Sequence, residues 1–108
     1  MEQYKMVLES QLGPREGTLR LEEDNGLLKG TITLLGYENP VSGEWIGEHS
    51  IRLFHHLQTK ISNLSCVSIF EIEGGTITGI LQNDWNVMKW HGERETDKKG
   101  RNAENGGE

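Results

Sequence analysis

The sequence predicts an all-β domain: an antiparallel meander of about seven strands, barrel-like, with a two-layer β-sandwich as the alternative. Three observations carry this reading. Apolar and polar residues alternate with period two through most of residues 4–92. Two turn pairs, Asn25-Gly26 and Gly74-Gly75, break such runs where a two-residue hairpin loop belongs. All but one of the other connections are short enough to join neighbours in space.

Tyr4 to Leu12 is the first strand, with Tyr4, Met6, Leu8, Ser10 and Leu12 on one face. Gly13-Pro14-Arg15-Glu16-Gly17 reads as the turn that ends it. Thr18–Glu23 and Leu27–Leu35 form a hairpin about Asn25-Gly26. That turn sets Glu22 against Lys29, Arg20 against Thr31, Leu21 against Gly30 and Leu19 against Ile32. One face of the ribbon is then polar and the other mainly apolar, as in a sheet with one wet side. Gly36 to Gly47 contains three glycines and Asn39-Pro40, and reads as a 12-residue loop. Loops of that length tend to carry function.

Glu48–Leu57 alternates as the fourth strand, and Gln58-Thr59-Lys60 turns it. Ile61–Glu73 is a long fifth strand and Thr76–Gln82 the sixth, paired across Gly74-Gly75 so that Phe70 faces Gly79. Asn83-Asp84 reads as a two-residue loop, which places Ile80 against Val87 and Gln82 against Trp85 on the seventh strand. Residues 93–108 are polar, with Ala103 as the single aliphatic residue, and read as a disordered tail beside a single domain of residues 1–92.

Composition excludes several function classes. The net charge is -6, so a nucleic-acid partner is not expected, because phosphate contacts need clustered cations. Anionic membrane surfaces are disfavoured for the same reason, and no apolar run approaches the ~20 residues of a membrane span. The single cysteine, Cys66, can form neither an internal disulfide nor a cysteine-based zinc site. The segment Met1-Glu-Gln-Tyr-Lys lacks the features of a signal peptide, so a cytoplasmic location is expected.

At an offset of 49 residues the two hairpins echo each other: Gly26 falls on Gly75, Gly30 on Gly79 and Leu21 on Phe70. In each, a large apolar side chain covers a strand glycine, which lets a ribbon curl. Duplication and repeated physics both account for this. With the strand glycines of Gly-Leu-Leu-Lys-Gly and Gly-Thr-Ile-Thr-Gly, the alternating run over residues 4–92 resembles the calycin and streptavidin-like group of small β-barrels. Small uncharacterised bacterial proteins of this build are similar. The lipocalin Gly-x-Trp near the N-terminus is missing, since the first tryptophan is Trp45. The resemblance implies a barrel in a group whose members bind small hydrophobic ligands.

No catalytic, metal or cofactor motif emerges. His55 and His56 point to opposite faces, and His49 lies about 20 Å from His55 at strand rise. Glu71 and Glu73 share a face about 7 Å apart but sit at a hairpin end, where solvated carboxylates are ordinary. Two surfaces remain. Tyr37 and Trp45 in the long loop, with His55, could line a mouth that takes a small apolar ligand. Val67, Ile69, Ile80, Trp85 and Val87 form a second apolar face, opposite one carrying Phe70, Ile72, Ile77 and Leu81. A sheet apolar on both faces needs cover on both, so a homodimer through those five residues is expected. The functional expectation is a non-catalytic interaction module that self-associates. The alternative is an apolar-ligand barrel, and an enzyme comes third.

Overall fold

The computed structural model describes residues 2–95. Eight strands follow one another: β1 (Glu2–Ser10), β2 (Gly13–Asp24), β3 (Leu27–Leu34), β4 (Tyr37–Trp45), β5 (Ser50–Gln58), β6 (Asn63–Glu73), β7 (Thr76–Gln82) and β8 (Val87–Arg94). Each pairs antiparallel with the next, and β8 returns to β1 with Leu8 opposite Trp90. The meander is thus a closed barrel. Closure removes the sandwich alternative, because one continuous sheet holds all eight of these strands.

The count is eight rather than about seven because the expected long loop is a strand. In β4, Tyr37, Asn39, Val41 and Gly43 alternate inward, and the pairing Ile32↔Asn39 continues to Leu28↔Gly43. Thr31↔Pro40 lies in this ladder, at a point where no β5 residue pairs with β4 on the other side. Proline is tolerated where a strand has one neighbour only. The same rule explains the other proline. The expected turn at residues 13–17 is the start of β2, and the reversal is made by Gln11-Leu12 alone. Pro14 pairs with Glu9 before β3 joins β2 at Gly17↔Leu34.

Register in the two glycine hairpins follows the turn chemistry. Asn25 (φ 53°) and Gly26 (φ 83°) both take the left-handed conformation of a type I′ turn. Glu22↔Lys29, Leu21↔Gly30 and Phe70↔Gly79 are observed. A β-carbon at Gly30 would stand 1.7 Å from the Arg20 carbonyl oxygen, and one at Gly79 would stand 2.0 Å from that of Ile69. Both glycines therefore allow backbones to approach where the barrel curls.

The β7–β8 register differs from expectation by two residues, with Ile80 opposite Lys89 and Gln82 opposite Val87. Asn83 is the cause. Its side-chain oxygen accepts from the amides of Trp85 (2.8 Å) and Asn86 (2.9 Å), building a four-residue turn in which Trp85 stands clear of the strand. A shift of two preserves the faces. Glu93 and Arg94, expected in the tail, pair with Lys5 and Tyr4, and the Glu95 amide donates to the Gln3 carbonyl at 2.7 Å. The rest of the expected tail lies outside the described residues.

The core is the barrel interior. Tyr4, Met6 and Leu8 from β1 meet Leu19, Ile32, Leu53, Ile77 and Leu81 there. Phe70 and Trp90 pack at its centre with ring centroids 5.9 Å apart, tilted by 45°. The two barrel ends differ. One carries the turns Gln11-Leu12, Leu35-Gly36, Thr59–Ser62 and Asn83–Asn86. The other carries Asn25-Gly26, Ile46–His49, Gly74-Gly75 and the outer ends of β1 and β8.

Candidate functional site

The barrel wall is not zipped evenly. Seven of its eight seams hold six to nine register pairs. The β4–β5 seam holds four, Ser42–Trp45 against Ile51–Phe54. Both strands continue past it: β4 keeps pairing with β3 back to Tyr37, and β5 keeps pairing with β6 on to Gln58. Between Tyr37–Val41 and His55–Gln58 no register pair joins the two. Asn39-Pro40 sits in this stretch, and proline has no N–H to offer a ladder.

An open groove of about 970 Å³ lies over this split. Phe54, Val67 and Ile69 on the outer face of β5 and β6 give it an apolar floor, and Val41, His55 and Cys66 reach it from the inner face. Arg52 forms part of its wall. The Arg52 Nη2 bonds Glu44 at 2.6 Å, and its guanidinium carbon lies 5.8 Å from the Phe54 ring centroid. Its Nε is buried with no hydrogen-bond partner. A second, smaller hollow, at the turn end of the split, is lined by Leu35, Gly36, Tyr37, Thr59 and Lys60.

Behind the split lies a buried polar chain. The Trp90 indole N–H donates to Ser68 Oγ at 3.0 Å, and Ser68 Oγ lies 2.8 Å from His55 Nε2. His55 Nδ1 lies 3.1 Å from the His56 carbonyl oxygen. One assignment satisfies every group. The His56 carbonyl must accept, so Nδ1 carries the proton; Nε2 then accepts from the Ser68 hydroxyl. Burial pushes the His55 pKa below its usual value, which keeps the ring in this neutral form. Ser68 is fully buried and its hydroxyl is engaged on both sides, so this serine–histidine contact is a structural clamp rather than a nucleophile and base. Cys66, the register partner of His55, is also buried, and burial pushes its thiol pKa up. That makes it less reactive.

The residues expected to line one ligand mouth are separated. Tyr37 and His55 both face inward along the split. Trp45 is at the far end of β4, half-exposed, with its indole N–H 3.3 Å from Glu23 Oε1. Of the expected interface residues, four share one outer face, where Ile69 is the register partner of Ile80 and Val67 and Val87 flank Gln82. Val67 and Ile69 are half-buried in the groove floor. Ile80 and Val87 are exposed on the outer face of β7 and β8, and Trp85 belongs to the turn instead of the sheet. Sequence reasoning missed Arg52, Phe54 and Ser68. Ser68 had a readable signal, a hydroxyl at an inward position between Cys66 and Phe70.

Glu71 hydrogen-bonds Ser50, and both Glu71 and Glu73 are exposed. No group of three His, Cys, Asp or Glu side chains that could hold a metal occurs among the described residues. No helix among the described residues is long and apolar enough to cross a membrane.

No protein-family model matches the chain, and no curated protein matches it. Among solved structures, the chain is similar to the apo form of Caenorhabditis elegans lipid binding protein 8. The TM-score is 0.54 at 10% sequence identity, over 85% of this chain and 93% of the other. At that identity the likeness is one of fold, a closed antiparallel β-barrel.

Proposed function

We propose that the protein binds a small, predominantly apolar ligand in the groove over the β4–β5 split. The observation that carries this reading is the four-pair seam, which leaves an apolar groove of about 970 Å³ in an otherwise continuous wall. Binding sites are commonly concave, apolar clefts of ~300–1,000 Å³ with a few placed polar groups. The fold neighbour, a protein named for lipid binding, supports the same reading. Core side chains occupy the barrel centre, so the ligand lies on Phe54, Val67 and Ile69 and reaches inward as far as His55 and Cys66.

The test is titration with 1-anilinonaphthalene-8-sulfonate followed by displacement with dodecanoate. Val67→Glu should weaken both by about tenfold or more, since it puts a charge on the apolar floor. Trp45→Phe should change neither. Absence of saturable binding by the wild type overturns the reading.

A second reading is self-association through the outer face of β7 and β8, where Ile80 is 37% and Val87 62% exposed. Sedimentation should then show a concentration-dependent mass that Val87→Glu abolishes. A cytoplasmic setting belongs to this proposal too, because the free thiol of Cys66 suits a reducing compartment.

A further inference from the structure

We propose that the end of the barrel formed by the Gln11-Leu12, Leu35-Gly36, Thr59–Ser62 and Asn83–Asn86 turns docks onto a zwitterionic lipid surface. Each of these turns presents one large apolar side chain to solvent. Leu12 is 84% exposed, Leu35 42%, Ile61 95% and Trp85 77%. The inference stands apart from the ligand reading, since none of the four lies in the groove floor.

The turns are built to hold these side chains outward. The Ser10 hydroxyl donates to the Gly13 carbonyl at 2.6 Å and accepts from the Leu12 amide at 3.3 Å. Thr59 Oγ1 accepts from the amides of Ile61 (3.2 Å) and Ser62 (3.0 Å). Asn83 does the same for Trp85 and Asn86. A short polar side chain below three of the four tips thus fixes the backbone that carries the apolar one.

Leu35 supplies independent support. It takes φ +57°, followed by Gly36 at φ +81°, the same type I′ geometry that Asn25-Gly26 uses at the other end. Asparagine tolerates the left-handed region and leucine does not. A strained leucine sits here although 42% of it is exposed, so core packing alone does not account for it.

Charge argues for a neutral bilayer as the occupant. With each strand divided at its middle, the half bearing these four turns holds four carboxylates and three cations among the described residues. The opposite half holds ten carboxylates and five cations. An almost neutral, apolar-tipped end suits uncharged headgroups, and the acidic end stays in water. The tips stand apart around the rim, with Gln11, Lys60, Asp84 and Asn86 between them. A protein interface needs a contiguous core that excludes water. A fluid interface accepts side chains one at a time, and tryptophan is enriched there.

The experiment is flotation with phosphatidylcholine vesicles, some carrying brominated acyl chains. The wild type should float, high salt should not release it, and bromine should quench its tryptophan fluorescence. Trp45→Phe should behave as wild type. The double variant Ile61→Ser, Trp85→Ser should partition roughly a hundredfold more weakly, about tenfold per tip. Both sites are exposed, so its melting curve should be unchanged. Leu35→Asn should melt higher yet float less. A wild type that stays with the lipid-free fraction, a double variant that floats normally, or Leu35→Asn floating as wild type would each overturn the proposal. So would a lipid-free dimer that the double variant splits, because a second copy would then occupy the tips.

Discussion

Ser68 is a small polar residue, fully buried in a mainly apolar interior, and two large neighbours, Trp90 and His55, depend on it. Ser68→Ala would leave the Trp90 N–H without its acceptor and His55 Nε2 without its donor. Orphaned buried groups cost about 1–3 kcal/mol each. Urea unfolding should show a loss in that range, while Ser68→Thr recovers part of it. His55 makes stability depend on pH. Its folded pKa lies below the unfolded-chain value of 6.5. As the pH falls through that value, the unfolded chain binds a proton that the folded chain refuses. Stability is therefore complete above that value and declines below it, by at most about 1.4 kcal/mol per pH unit for one proton. Melting temperatures taken from about pH 7.5 to pH 5 should show this decline, and His55→Gln should flatten it. A flat wild-type profile would refute the assignment.

Among the elements, the hairpins show where local chemistry decides. Asn25-Gly26 and Gly74-Gly75 dictate register directly, so the pairs from Glu22↔Lys29 to Phe70↔Gly79 were legible in the residues alone. Gly79→Ala would drive a β-carbon into the Ile69 carbonyl, and Gly30→Ala into that of Arg20. Each should destabilise by about 2–4 kcal/mol in chemical denaturation, well beyond the usual propensity difference. Prolines and asparagines misled. Pro14 and Pro40 look like strand breakers, yet each lies where its strand has a single neighbour, and that depends on where the next strand stops. Asn83 looks like a two-residue turn, yet its side chain builds a four-residue one. The split between β4 and β5 was illegible for a related reason. His55 was visible as an inward histidine, but the gap beside it is a property of two strands failing to meet, and no single strand encodes it.

At the scale of the whole molecule, the three residues first grouped as a ligand mouth come apart: His55 reaches the groove, Tyr37 lines the smaller hollow, and Trp45 stands at the opposite barrel end. Val67 and Ile69 share an outer face with Ile80 and Val87, and the four-residue turn built by Asn83 takes Trp85 off it. The closure of β8 onto β1 also concerns time. Every other seam joins strands adjacent in sequence and can form as a local hairpin. The β1–β8 seam must bring Leu8 to Trp90 across most of the chain. Its loop-closure entropy is offset only once the intervening strands have curled. Stopped-flow refolding should therefore be slow for a chain of this size, in the range of ~milliseconds to seconds. Until that last step the sheet has two bare edges, each a template for another chain. Refolding yield should accordingly fall as protein concentration rises, even though the finished barrel has no edge at that seam to offer.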